Sequence, residues 1–115
     1  MYSKDDFGKD LIKEVRDRTI RQYYKKISCL MKSEDDQALF RRYESLDEGA
    51  KKFIKDLIPM IVDTSLHNTL CMIEDSENFI LTIGEDDIRD ISDGLTGELY
   101  TEDGWIAKYS SECSI

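Results

Sequence analysis

The sequence predicts an α+β fold in which about three N-terminal helices pack with a small C-terminal antiparallel sheet. The apolar periodicity is helical over roughly residues 4–74 and becomes strand-like near Asn78. Residues that commonly cap helices, such as Ser33, precede apolar stripes at helical spacing. Near the C-terminus, Asp103-Gly104 is the dipeptide typical of a β-hairpin turn. At 115 residues the chain is expected to form one domain, 1–115, around one core.

The first helix is predicted from about Lys4 to Lys32, a stretch without proline. One apolar face holds Ile12, Tyr23, Ile27 and Leu30, while Phe7, Leu11 and Val15 lie on a rotated face. The phase slips across "RDRT", residues 16–19. This slip predicts either a bend or contacts with two different neighbours.

Two more helices are predicted before Asp75. Ser33 with Asp36 resembles a capping box, and it begins a short helix with an apolar stripe. Ser45 or Asp47 then caps a helix that runs to about Glu74. Pro59 lies inside that helix and removes one backbone hydrogen bond, so a kink or break is expected one turn upstream.

The C-terminal part is predicted to contain strands. "NFILTI", residues 78–83, is an apolar and β-branched run typical of a strand, and "EDDIRDISDG" fits one or two helical turns. "GELYT" and "WIAKY" flank "EDG" and are predicted to pair as a hairpin. Trp105 and Tyr109 are expected to be core anchors rather than partner contacts.

Charge is distributed unevenly along the chain. The formal net charge is −9. Residues 1–73 carry 14 basic and 13 acidic side chains, whereas residues 74–115 carry 2 basic and 12 acidic ones. An acidic surface repels phosphates and anionic lipids, so neither nucleic acid nor membrane is expected as a partner.

Targeting signals and cysteine usage favour a cytoplasmic location. The sequence "MYSKDDFGKD" lacks an apolar signal region, and the longest apolar stretch, "LIPMIV", is too short to cross a bilayer. Cys29, Cys71 and Cys113 are odd in number and widely spaced, which disfavours a disulfide scaffold or a clustered zinc site. No cofactor is expected.

The segment "VDTSLHNTL", residues 62–70, contains the one histidine of the chain, His67. On a helix, Asp63, His67 and Glu74 share a polar stripe opposite an apolar arc, which is typical of a solvent-facing side. The alternative is a small enzyme or metal-binding site that uses these three residues. No second histidine completes such a site, so the solvent-facing interpretation is preferred and no catalytic or metal-ligating residue is assigned.

The acidic half provides the candidate binding surface. Its members are Glu85, Asp86, Asp87, Asp90, Asp93, Glu98, Glu102 and Asp103. The hypothesis is that they engage a basic partner protein. The alternative is that they only keep the chain soluble or face the basic first helix.

Known catalytic motifs are missing, including phosphate-binding glycine loops, nucleophile elbows and zinc-protease helices.

The combination of "VDTSLHNTL", "SDGLTGELY" and "DGWIAKYS" resembles a family of small acidic bacterial proteins, some of which are similar to immunity proteins that neutralise secreted toxins. The resemblance implies a cytoplasmic bacterial protein that acts by binding, and it assigns no catalytic or binding residue. The preferred function is therefore a non-enzymatic protein-binding domain, or an immunity-type inhibitor.

Overall fold

A computed structural model describes residues 1–112, so Cys113 lies outside the described residues. The N-terminal part forms α1 (Lys4–Asp10), a π-helical segment (Leu11–Asp17) and α2 (Arg18–Lys26) as one continuous rod. Two further helices follow, α3 (Glu34–Glu44) and α4 (Glu48–Asp75). The prediction of N-terminal helices before a small sheet is confirmed.

Local capping chemistry accounts for the helix starts. Ser33 Oγ accepts a hydrogen bond from Asp36 N at 3.1 Å, and Asp47 Oδ1 accepts one from Ala50 N at 2.8 Å. Each bond satisfies an amide that the first turn leaves without an intrahelical partner. α4 runs through Pro59 without a break, and the proline ring is buried.

The π-helical segment explains the predicted phase slip. A π-turn places more residues in each turn than an α-helix does. As a result the buried side of the rod recurs at every fourth residue, through Gly8, Ile12, Arg16 and Ile20. The same face of the rod therefore stays in contact with α4 and the C-terminal residues. In a regular α-helix, residues four apart would turn progressively away from that side.

The C-terminal sheet is smaller than predicted. β1 (Thr82–Ile83) pairs antiparallel with β2 (Asp86–Asp87), and Gly84 at φ +64° makes the turn between them. Short helices follow at α5 (Ile88–Ile91), a 3₁₀ turn (Thr96–Glu98) and α6 (Trp105–Tyr109).

The predicted hairpin about Asp103-Gly104 is wrong, because residues 105–109 are helical and Gly104 is their N-cap at φ −73°. Gly104 is needed for close packing instead, since a Cβ there would meet the backbone carbonyl of Leu99 at 2.7 Å.

The expectation that Trp105 is a core anchor is confirmed, because its side chain is fully buried. Its ring packs edge-on against Phe7 at 5.9 Å between centroids, and Trp105 Nε1 donates to Asp5 Oδ1 at 3.2 Å.

The main core lies at one end of an elongated molecule. It joins the first helix and the C-terminal half of α4 to the short C-terminal elements, through Ile12, Leu66, Leu70, Ile83, Ile88, Leu95, Leu99 and Trp105. The molecule measures 50 × 29 × 26 Å with a radius of gyration of 16.9 Å, against about 13 Å for a compact domain of this length. We call residues 76–112 the C-terminal lobe and residues 18–56 the helical arm.

Candidate functional site

The eight acidic candidate residues all lie in the C-terminal lobe, and six of them are exposed. These six are exposed and form no ion pair with another described residue: Glu85, Asp86, Asp90, Asp93, Glu102 and Asp103. The lobe carries ten acidic and two basic side chains in all. The six free carboxylates therefore present negative charge directly to solvent.

The other two predicted members serve the fold. Asp87 Oδ1 accepts from Arg89 N at 2.9 Å, which caps α5, and Asp87 Oδ2 bonds Arg89 Nη2 at 2.9 Å. These hydrogen bonds from Arg89 lower the pKa of Asp87 below its ordinary value. Glu98 Oε1 bonds both Lys4 Nζ and Ser92 Oγ at 3.1 Å, which ties the lobe to α1.

The prediction that Asp63, His67 and Glu74 lie on a solvent-facing stripe is wrong. The Asp63 side chain is only 16 % exposed and pairs with Arg16, at 2.6 Å between Asp63 Oδ1 and Arg16 Nε. Glu74 Oε1 accepts from Leu95 N at 3.3 Å. Because the first helix and the lobe pack on this side of α4, the polar stripe faces inwards.

His67 is half-buried between these two carboxylates along α4. Its Nε2 lies 3.5 Å from the Sγ of Cys71, and its Nδ1 is buried without a hydrogen-bond partner among the described residues. Cys71 is likewise only half-buried. Within residues 1–112 no cluster of three or more histidine, cysteine or carboxylate side chains could hold a metal ion. Asp63, His67 and Glu74 thus contact different groups, namely Arg16, Cys71 and the amide of Leu95.

A buried ion network, which sequence reasoning missed, lies at the π-helical segment. Arg16 is 0 % exposed and Asp17 is 1 % exposed, and Arg16 Nη1 lies 3.0 Å from Asp17 Oδ1. Arg16 Nη1 also donates to Ser110 Oγ at 2.7 Å and to the carbonyl of Glu112 at 3.2 Å. Asp17 in turn accepts from Ser111 N at 2.7 Å. The network fastens the end of the lobe to the first helix.

The charge of Arg16 is compensated in place. Burial disfavours a guanidinium cation, but hydrogen bonds and charge interactions with Asp63 and Asp17 outweigh that penalty and raise the pKa of Arg16. The sequence signal for this network is the phase slip at "RDRT". There the charged residues Arg16 and Asp17 stand where the helical periodicity calls for buried apolar residues.

The side of α4 predicted to be apolar is partly exposed. Phe53, Ile61 and Met72 of that side, and Met60 beside it, each show more than half of their surface to solvent. A groove of about 380 Å³ lies between this side of α4 and the first helix, and a second of about 310 Å³ lies on the other flank of Ile61. We call this strip, from Phe53 to Met72, the apolar face.

A helix long and apolar enough to cross a bilayer is absent from residues 1–112. Comparison with known proteins gives no match: no protein-family model, no curated protein and no solved structure is similar to this chain.

Proposed function

We propose that this chain is a non-enzymatic binding domain whose C-terminal lobe presents an acidic surface to a basic partner protein. The observation that carries the proposal is the set of six exposed carboxylates that form no ion pair with another of the described residues. Two acids of the same segment, Asp87 and Glu98, form ion pairs within the chain, whereas the side chains of the other six pair with no basic residue among residues 1–112. Exposed single charges add little to stability, which leaves these six available for a partner.

Electrostatics supports a basic protein as the partner class. A concentration of like charge on one lobe steers an oppositely charged partner and raises the association rate. The same field repels polyanions, which makes nucleic acid the less suitable class of partner. An immunity-type inhibitor of a basic toxin is the form of this function that the sequence resemblance suggests, and we propose it as the finer assignment.

The alternative of an enzyme or metal site built from Asp63, His67 and Glu74 has weaker support. Arg16 already binds the carboxylate of Asp63, and Glu74 accepts a backbone hydrogen bond from Leu95. A catalytic or metal-binding role would require both contacts to be given up. The acidic lobe requires no such rearrangement.

The test neutralises three of the exposed acids. In a triple variant with Asp86→Asn, Asp90→Asn and Asp93→Asn, the immobilised chain is compared with the parent for partners captured from its source cell. Asp87 is left intact because it caps α5. We expect a basic protein that the parent captures and the variant loses, and the purified pair should associate more slowly as salt rises past about 0.15 M, where screening acts within about 8 Å.

A matched control removes the same amount of charge elsewhere. Glu14→Gln, Asp35→Asn and Glu48→Gln together neutralise three exposed acids of the N-terminal helices. This control should keep the partner. If both triple variants lose it equally, net charge alone governs binding; if neither loses it, the acidic surface is not the binding site. Either result contradicts the proposal.

A further inference from the structure

The apolar face of α4 leaves several large apolar side chains in water. Ile61 is 56 % exposed and Phe53 64 % exposed, and Met60 and Met72 are similar. Val15 and Tyr23, on the opposite wall of the larger groove, also leave more than two-fifths of their surface in water. Since a large side chain offers very roughly 150–250 Å², the six together expose on the order of 600 Å² of apolar surface. That sum is comparable with the largest apolar patch of a typical monomer, and exposed polar residues at positions 64, 65, 68 and 69 lie between Ile61 and Met72.

The shape of the face complements a copy of itself. Ile61 and Ser65 line both grooves, so they form a ridge with a groove on each flank. When two such ridges meet, the ridge of one copy enters a groove of the other, as in packed helix pairs. Ile61 also lies at the midpoint of α4, so a two-fold axis there aligns the whole face with its counterpart.

Charge decides the relative direction of the two copies. The helical arm holds ten basic and seven acidic residues, a net charge of +3, while the C-terminal lobe holds two basic and ten acidic ones, a net charge of −8. A parallel pair would place the two negative lobes side by side. An antiparallel pair places each lobe beside the positive arm of the other copy, which is the favourable arrangement.

We propose that a second copy of this chain covers the apolar face, packed antiparallel about a two-fold axis at Ile61. The exposed apolar area approaches the roughly 800 Å² per partner that stable interfaces bury, and the charged flanks supply the remainder. The variants that test the interface, Ile61→Glu and Met60→Lys, change α4 and leave the six free carboxylates in place, so dimerisation and binding of a basic partner are tested by different variants.

The first experiment measures mass in solution against concentration, by sedimentation or light scattering. The expected result is twice the 13.4 kDa chain mass. Ile61→Glu, and separately Met60→Lys, should raise the dimer dissociation constant about thirty-fold or more, as expected for a central apolar contact. The matched control is Ile80→Glu, because Ile80 is 60 % exposed but lies outside the face. Circular dichroism checks that each variant is folded.

Two outcomes of that experiment overturn the proposal. One is a monomer at every concentration up to on the order of 100 μM, a range in which interfaces of this size associate. The other is a dimer that the folded Ile61→Glu and Met60→Lys variants leave as stable as the Ile80→Glu control does.

The second experiment tests the direction of packing by cross-linking. With Cys29, Cys71 and Cys113 replaced by serine, Leu57→Cys and Ser65→Cys are prepared as separate chains and mixed. About a two-fold axis at Ile61, residue 57 of one copy faces residue 65 of the other, whereas the two residues 57 are about 12 Å apart along the helix. A short bis-maleimide should therefore link the mixed pair at least ten-fold faster than Leu57→Cys alone. Equal or faster linking of Leu57→Cys to itself contradicts the antiparallel arrangement.

Discussion

Replacing Arg16 with methionine tests whether the buried network stabilises the fold. Methionine keeps the length and apolar stem of arginine but removes the cation, which leaves Asp17 as a carboxylate that is 1 % exposed and has lost its guanidinium. Breaking a buried pair in this way typically costs about 3–5 kcal/mol. Since a domain of this length has a total stability of roughly 6–17 kcal/mol, the variant should lose a large share of it.

The measurement is urea unfolding followed by circular dichroism, with the free energy of unfolding extrapolated to zero denaturant. Arg21→Met is the matched control, because its side chain is 46 % exposed and its contact with Glu112 is 3.6 Å long. That control should change the free energy of unfolding by less than about 0.5 kcal/mol. The double variant Arg16→Met with Asp17→Asn should lose less than the sum of its two single variants, because the two residues are in contact.

The network also predicts where the Arg16→Met chain becomes vulnerable. Arg16 and Asp17 hold Ser110 and Ser111, so the end of the lobe should be cleaved earlier by a protease in the variant than in the parent. A cost below about 1 kcal/mol, matching that of Arg21→Met, would refute the assignment of a buried, structurally required cation.

Three further predictions follow from individual contacts. Gly8→Ala should lower the free energy of unfolding by about 1–3 kcal/mol or more, measured by heat or urea, because a Cβ at Gly8 would overlap the buried ring of Trp105. In the control Gly97→Ala, the new Cβ meets no atom within 4 Å and stability should change little. The hydrogen bond to Asp10 raises the pKa of Tyr2 to about 12, so an absorbance titration should show a tyrosine that ionises near pH 12 and that Tyr2→Phe removes. The stability from that contact should be complete below pH 10 and lost as pH rises towards 12. Hydrogen bonds from Arg89 lower the pKa of Asp87, so the contribution of the Asp87 carboxylate to stability is present above the ordinary carboxyl pKa and is lost as pH falls through the folded pKa. Asp87→Asn should reduce this loss of stability at acid pH, which unfolding measured at several pH values will show.

Local rules in the sequence predicted the helix starts correctly. Ser33 and Asp47 cap the helices that they precede, because the chemistry of a cap depends only on residues two or three positions away. The slip in phase at residues 16–19 was also readable, although the π-helical geometry that causes it was not. These features are determined by short-range contacts.

Tertiary contacts decided the features that were predicted wrongly. Asp103-Gly104 has the composition of a hairpin turn, but burial of Trp105 against Gly8 favours a helix at residues 105–109. Periodicity likewise divided α4 into a polar and an apolar side, and the assignment of the polar side to solvent was wrong. The polar side faces inwards because Arg16, on another helix, provides a partner for Asp63. An elongated arrangement then leaves the apolar side open.

The acidic residues of this chain fall into two groups. One group forms ion pairs within the fold, and the other is exposed and available for a partner. Asp17 and Asp63 compensate a buried arginine, while Asp87 and Glu98 hold the short elements of the lobe in place. Once those contacts are made, further carboxylates on the lobe add repulsion without adding stability. A solubility role alone would be served by charge spread over the whole surface. Their concentration on the lobe instead favours an oppositely charged surface as their target.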